Sequence, residues 1–210
     1  MVSLVLLSRL LFGSTIEEAR NLENAGRKSE AIVVFGRWLA DNGHHPDAVA
    51  VLIHASSLFE DPLETVSFLS KYVHLLPGDK RGEIFVRMAG LETSLGLLGF
   101  AVQHYELALQ HSEVQNESWR LQYLQLKHSI GENIRMEALE LKKTARNRVL
   151  IAESGLLAAM AHSDIRQGIA EIQDLIENNF IVPSTWLYLA KLQARIGDDE
   201  GVEESLRNLE

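Results

Sequence analysis

The chain contains no cysteine, which removes disulfides, zinc–thiolate sites and thiol catalysis at once. A chain without thiols is indifferent to redox and so does not choose a compartment. It has only four prolines, Pro46, Pro62, Pro77 and Pro183. It has no block of five or six like charges. Its longest apolar run, Val2–Phe12, is broken by two serines and Arg9 and falls short of the roughly 20 residues a membrane-spanning helix needs. The net charge of −9 repels nucleic-acid backbones and anionic membranes unless a local basic patch overrides it.

What is present is ordinary in amount. At 46% hydrophobic and 23% charged, the 210 residues match a folded soluble composition and suffice for a sizeable core without covalent staples. The opening residues 1–11 leave three readings. They form a buried helix capping the rest, a degenerate or mis-started export signal, or an interfacial anchor. An export signal would carry a cation ahead of the apolar run and a small-residue cleavage site behind it, and neither is found.

The dominant pattern is a repeat of about 34 residues. Units begin near 12, 46, 82, 116, 149 and 183, at spacings of 34, 36, 34, 33 and 34. Each reads as two amphipathic helices with a turn between them. In the first unit Ala19 and Leu22 share one face, Gly26 breaks the helix, and Ala31, Phe35 and Trp38 recur at helical spacing. The third unit repeats this with Phe85, Met88 and Ala89, a break at Gly96, then Ala101, Tyr105 and Ala108. The sixth does so with Trp186, Leu189 and Ala190, a break at Gly197, then Val202, Leu206 and Leu209. No proline falls inside a predicted helix, where it would cost roughly 3 kcal/mol. Gly36, Gly90, Gly155 and Gly168 do, and read as places where two backbones pack closely.

These positions resemble the tetratricopeptide repeat family over residues 12–210. The large residue early in a unit's first helix matches Phe85, Trp119 and Trp186, and the following small residue matches Ala19, Ala89 and Ala190. The alanine opening the second helix matches Ala31 and Ala101, with Thr65, Gly168 and Val202 in its place elsewhere. The mid-helix aromatic matches Phe35 and Tyr105, replaced by Leu69, Leu139, Ile172 and Leu206. The fourth unit departs most: Arg135 stands where a small residue is expected and Lys142 where an apolar one is, so its second helix allows another phase through Met136, Leu139 and Lys143. The resemblance implies an all-α, right-handed α-solenoid of about six stacked helix-turn-helix units.

Chemistry is hard to find in the chain. There is no H-E-x-x-H, no G-x-S-x-G and no phosphate-binding glycine loop. Neither a metal nor a cofactor is expected. The single close histidine pair, His44-His45, sits in a turn beside Pro46. The one basic cluster, Lys142 to Arg148, lacks interleaved aromatics and suits the end of a helix, so no nucleic acid is expected as a partner.

The resemblance therefore implies a non-enzymatic scaffold that holds a peptide or helix of another protein in a concave groove lined by first helices. An envelope or secretion component tethered or periplasmic through residues 1–12, and an all-α enzyme, are the alternatives. A cytoplasmic setting is favoured. Candidate groove residues are Arg20, His54, Arg120, Lys127, Leu157, Met160, Leu187 and Lys191. Leu150, Leu157, Met160 and Leu187 are read as an exposed apolar contact patch. Val202, Leu206 and Leu209, on the last helix, are read as a surface for self-association.

Overall fold

A computed structural model describes residues 15–112 and 116–209. The N-terminal segment 1–11 lies outside the described residues. Among those described there are twelve helices and no strand, and no helix is long and apolar enough to cross a membrane. The chain divides into two compact units, residues 1–113 and 114–210.

Unit 1 holds α1 (15–24), α2 (Lys28–Asn42), α3 (Ala48–Ser56), α4 (Pro62–Val73), α5 (Gly78–Ser94) and α6 (Leu98–Gln110). Unit 2 holds α7 (Glu117–Ser129), α8 (Arg135–Thr144), α9 (Arg148–Met160), α10 (Ile165–Glu177), α11 (Thr185–Ile196) and α12 (Asp199–Arg207). Each unit is thus three helical hairpins. Within unit 1, α3 packs on α2, α4 and α5; within unit 2, α9 packs on α7, α8, α10 and α11.

Two local chemistries make the hairpin turns. In four hairpins the first helix closes on a left-handed glycine: Gly26, Gly96, Gly131 and Gly197, all with φ between 73° and 86°. The amide beyond each glycine bonds back five residues, as Leu97 N–H does to the Glu92 carbonyl at 2.8 Å. The other two hairpins have no glycine there. They restart the chain with aspartate N-caps: Asp61 accepts from the Leu63 amide at 2.8 Å ahead of Pro62, and Asp164 from the Arg166 amide at 2.9 Å. Pro77 is the N-cap residue of α5, a place that needs no N–H.

The second helices bury residues at offsets of zero, four and seven: Ala31, Phe35 and Trp38; Ala101, Tyr105 and Ala108; Gly168, Ile172 and Leu175. The fourth unit keeps this spacing one residue out of the expected phase, and in the sixth the buried residue also falls one position early. Around α8 the buried positions are Ile134, its N-cap residue, with Ala138 and Leu141, while Met136 is 75% exposed. In α12 Ser205 is buried and Gly201 and Val202 are half-buried, while Leu206 and Leu209 are exposed. The reason is polar. Ser205 donates its hydroxyl to Gln193 Oε1 of α11 at 2.7 Å, in a buried contact that Leu206 could not make.

The interior glycines divide as well. An added Cβ would stand 2.6 Å from the Ala159 carbonyl at Gly168 and 3.0 Å from Leu175 at Gly155, but would meet nothing within 4 Å at Gly90. Close packing explains the first two and not Gly90.

Unit 2 has two core clusters, and α9 contributes to both. One joins Leu121, Leu124, Ile134, Ala138, Leu141, Leu157 and Ala158; the other joins Ala152, Leu156, Ala159, Ile172, Leu175, Val182, Leu189 and Leu192. With neighbours on four helices, α9 buries seven of its thirteen residues.

Candidate functional site

That position of α9 corrects the expected apolar patch. Leu157 is only 8% exposed, inside the core with Leu121 and Leu124. Leu124 itself is 1% exposed. Leu150 and Met160 pack half-buried against the two clusters, and of the four residues only Leu187, at 40%, is exposed. An apolar stripe on a helix does not stay free when four neighbouring helices pack on that helix.

The expected cations have different fates. Arg120 donates to Glu140 at 2.7 Å, tying α7 to α8. Lys127 lies 3.0 Å from Glu132 and 3.4 Å from Glu137, with its side chain 15% exposed and its ammonium 5.4 Å from the Tyr123 ring centre. The hydrogen bond to Glu132 leads the effects that raise its pKa above the usual lysine value. His54 Nε2 lies 2.8 Å from Glu23 Oε2, linking α3 to α1, with its ring edge-on to Phe35. Arg20 is exposed on α1. Lys191 is exposed on α11, one turn after Leu187, with its ammonium 5.3 Å from the Tyr188 ring centre and no carboxylate in reach.

Two polar clusters escape a reading of spacing alone. In unit 1, buried Glu92 lies 2.7 Å from His104 Nδ1, and the rings of His104 and His111 both stack on Phe85 with centres 5.8 and 5.6 Å away. The seven-residue spacing of the histidines shows that they share a helix face, but nothing local shows that α5 brings a carboxylate and a phenyl ring to meet them. In unit 2, Arg135 reaches from α8 to both oxygens of Glu171 on α10, at 2.9 and 2.5 Å, and to the Ala158 carbonyl of α9 at 2.8 Å. Hydrogen bonding from this guanidinium, then its charge and those of His162 and Lys142, hold Glu171 below the ordinary carboxylate range. The residue that looked out of place in the fourth unit is thus a tie across three helices. The basic cluster behaves similarly: Arg148 donates to the Asn179 carbonyl at 2.6 Å and lies over Phe180. Among the described residues no group of three or more His, Asp or Glu could hold a metal ion.

Hairpins of near-constant length, closed by left-handed glycines and packed through a zero-four-seven stripe, define a helical-hairpin repeat protein of the all-α class. The fold is that of the tetratricopeptide repeat proteins. A tetratricopeptide repeat protein from Parabacteroides merdae matches with a TM-score of 0.64 at 12% identity, over 94% of this chain and 78% of that one. MamA RS-1 matches with a TM-score of 0.57 at 16% identity, over 77% and 92%. BtubC from P. vanneervenii matches with a TM-score of 0.53 at 17% identity, over 95% and 87%. No family model matches the sequence, and no curated protein is significantly similar to it. The kinship is therefore one of fold.

Proposed function

We propose that the chain is a non-enzymatic scaffold that holds a peptide or helix of a partner protein against the first helices of its hairpins, with α11 as the anchor in unit 2. The observation that supports this most is Leu187, an exposed apolar side chain, with the unpaired Lys191 one turn along the same face. An apolar side chain offers a contact for the apolar face of a bound helix, and an available cation adds charge complementarity. Arg20 and His54 are the corresponding candidates in unit 1. Arg120 and Lys127 contribute less in this reading, because a partner must displace Glu140 or Glu132 to reach them. Leu157 and Met160 act by supporting α9. The fold supports a scaffold role in general, since stacked hairpins present side chains from several helices at fixed spacing. The polar groups that converge, Glu92 with His104 and Arg135 with Glu171, tie helices together.

The test compares wild type with Leu187→Glu/Lys191→Glu by affinity purification and mass spectrometry from cells that make the protein. Loss of a partner with an unchanged circular dichroism spectrum is expected. An unchanged partner set refutes the α11 site.

A further inference from the structure

A second surface, on the second helices of unit 1, goes beyond this reading. Between α2 and α4 lies an open groove of about 620 Å³. Its floor comes from Val33 and Gly36 on α2 and from Phe68 and Tyr72 on α4. The absence of a side chain at Gly36 lets Tyr72 lie against α2: a Cβ there would stand 2.5 Å from the Tyr72 hydroxyl. The Phe68 ring, largely buried, packs on Tyr72 with centres 4.8 Å apart, so the floor is aromatic. Val33 is 53% exposed, so its side chain is open to a partner.

The charges on its walls have one sign. Arg37 of α2 and Lys71 of α4 both line it, His74 joins them at the end of α4, and no carboxylate lines the groove. Neither Arg37 nor Lys71 has a carboxylate within salt-bridge distance, although the chain carries 29 acidic residues and pairs Arg27, Arg120, Lys127 and Arg135 with them. Lys71 rests instead over the Tyr72 ring at 5.3 Å. An apolar strip between two unpaired cations on a protein of net charge −9 is complementary to an apolar ridge flanked by acids.

We infer that this groove docks an amphipathic helix of a partner protein, its apolar ridge on Val33, Phe68 and Tyr72 and its acidic flanks on Arg37 and Lys71. The dimensions favour a helix over a small molecule. The groove follows α2 from Ile32 to Ala40, about 12 Å, the length of two helical turns. It is open along its length, whereas small-molecule sites enclose most of their ligand.

The experiment uses the full chain labelled with ¹⁵N. The probes are a synthetic 14-residue peptide with leucines at helical i, i+3 and i+7 spacing flanked by glutamates, the same peptide with lysines for glutamates, and dodecanoate. The glutamate peptide should shift the amides of residues 32–40 and 68–75. Arg37→Glu/Lys71→Glu should weaken it about tenfold or more and let the lysine peptide bind instead. Val33→Glu, at an exposed position, should abolish binding with an unchanged circular dichroism spectrum, which keeps the test decisive if the double variant misfolds. Leu187→Glu/Lys191→Glu should leave peptide binding unchanged, separating this surface from the α11 site. The inference is overturned if the glutamate peptide does not bind, if both peptides bind alike, or if the shifts map elsewhere. It is also overturned if dodecanoate alone occupies the groove, or if the chain forms a dimer that Arg37→Glu/Lys71→Glu breaks.

Discussion

Glycine carries opposite meanings at two positions in this protein. Gly168 lies in α10 where a Cβ would come within 2.6 Å of the Ala159 carbonyl, a backbone atom that cannot swing away. Gly90 lies inside α5 with nothing within 4 Å of where its Cβ would be. Gly168→Ala should therefore destabilise the protein by about 1–3 kcal/mol through overpacking. Gly90→Ala should stabilise it by about 0.5–1 kcal/mol, because alanine loses less backbone entropy in a helix. Urea midpoints of the two variants, moving in opposite directions, check both. The sequence shows a glycine inside a helix in each case; only the neighbouring helix distinguishes them.

Among the elements, α8 is tied by one polar side chain in addition to its apolar stripe. The residues buried around it, Ile134, Ala138 and Leu141, make a modest core face, and Arg135 adds the bridge to α9 and α10. Arg135→Met should cost about 1–2 kcal/mol, since it strands the Ala158 carbonyl and frees Glu171. The pH dependence follows from the depressed pKa of Glu171. A carboxylate with a lower pKa in the folded state contributes its stability fully above the ordinary value of 4.5 and loses it as pH falls through the folded value. The gap in urea midpoint between wild type and Glu171→Gln should be constant near neutral pH and close as pH is lowered below about 4.5. A gap that persists unchanged in acid would remove the ion pair as its source. Arg135 was visible in the sequence as a departure from the repeat, but its partner lies 36 residues away and no spacing rule connects them.

For the whole molecule, the phase of α12 determines which surface is left for association. Turning Ser205 inward leaves Leu206 and Leu209 at 46% and 41% exposure, with Ile196 of α11 at 42%. We propose this face as a surface for self-association. Light scattering at high concentration should show a species heavier than the monomer, and Leu206→Glu/Leu209→Glu should return it to monomer. A strict monomer for the unaltered chain refutes the idea. The net charge of −9 opposes pairing of like copies, so association should strengthen as added salt screens that repulsion.

The sequence alone determined the features that depend on a few neighbouring residues. Gly26, Gly96 and Gly197 could be placed in turns because the left-handed conformation is a local requirement. Ala31, Phe35 and Trp38 could be placed inward because helical periodicity is local too. A third local sign was present in α9: Leu150 to Met160 is apolar or small nearly all round, which marks a helix enclosed on several sides rather than one offering a surface. Tertiary structure decided what depends on a second helix. It set the phase of α12 through the bond between Ser205 and Gln193, buried Leu157, turned Arg135 into a tie, and brought Arg37 and Lys71 to one groove without an acid between them. The physical reason is the range of each interaction: backbone conformation and amphipathicity act within a turn or two of chain. Polar pairing and enclosure instead act between segments whose separation in sequence carries no information about their contact.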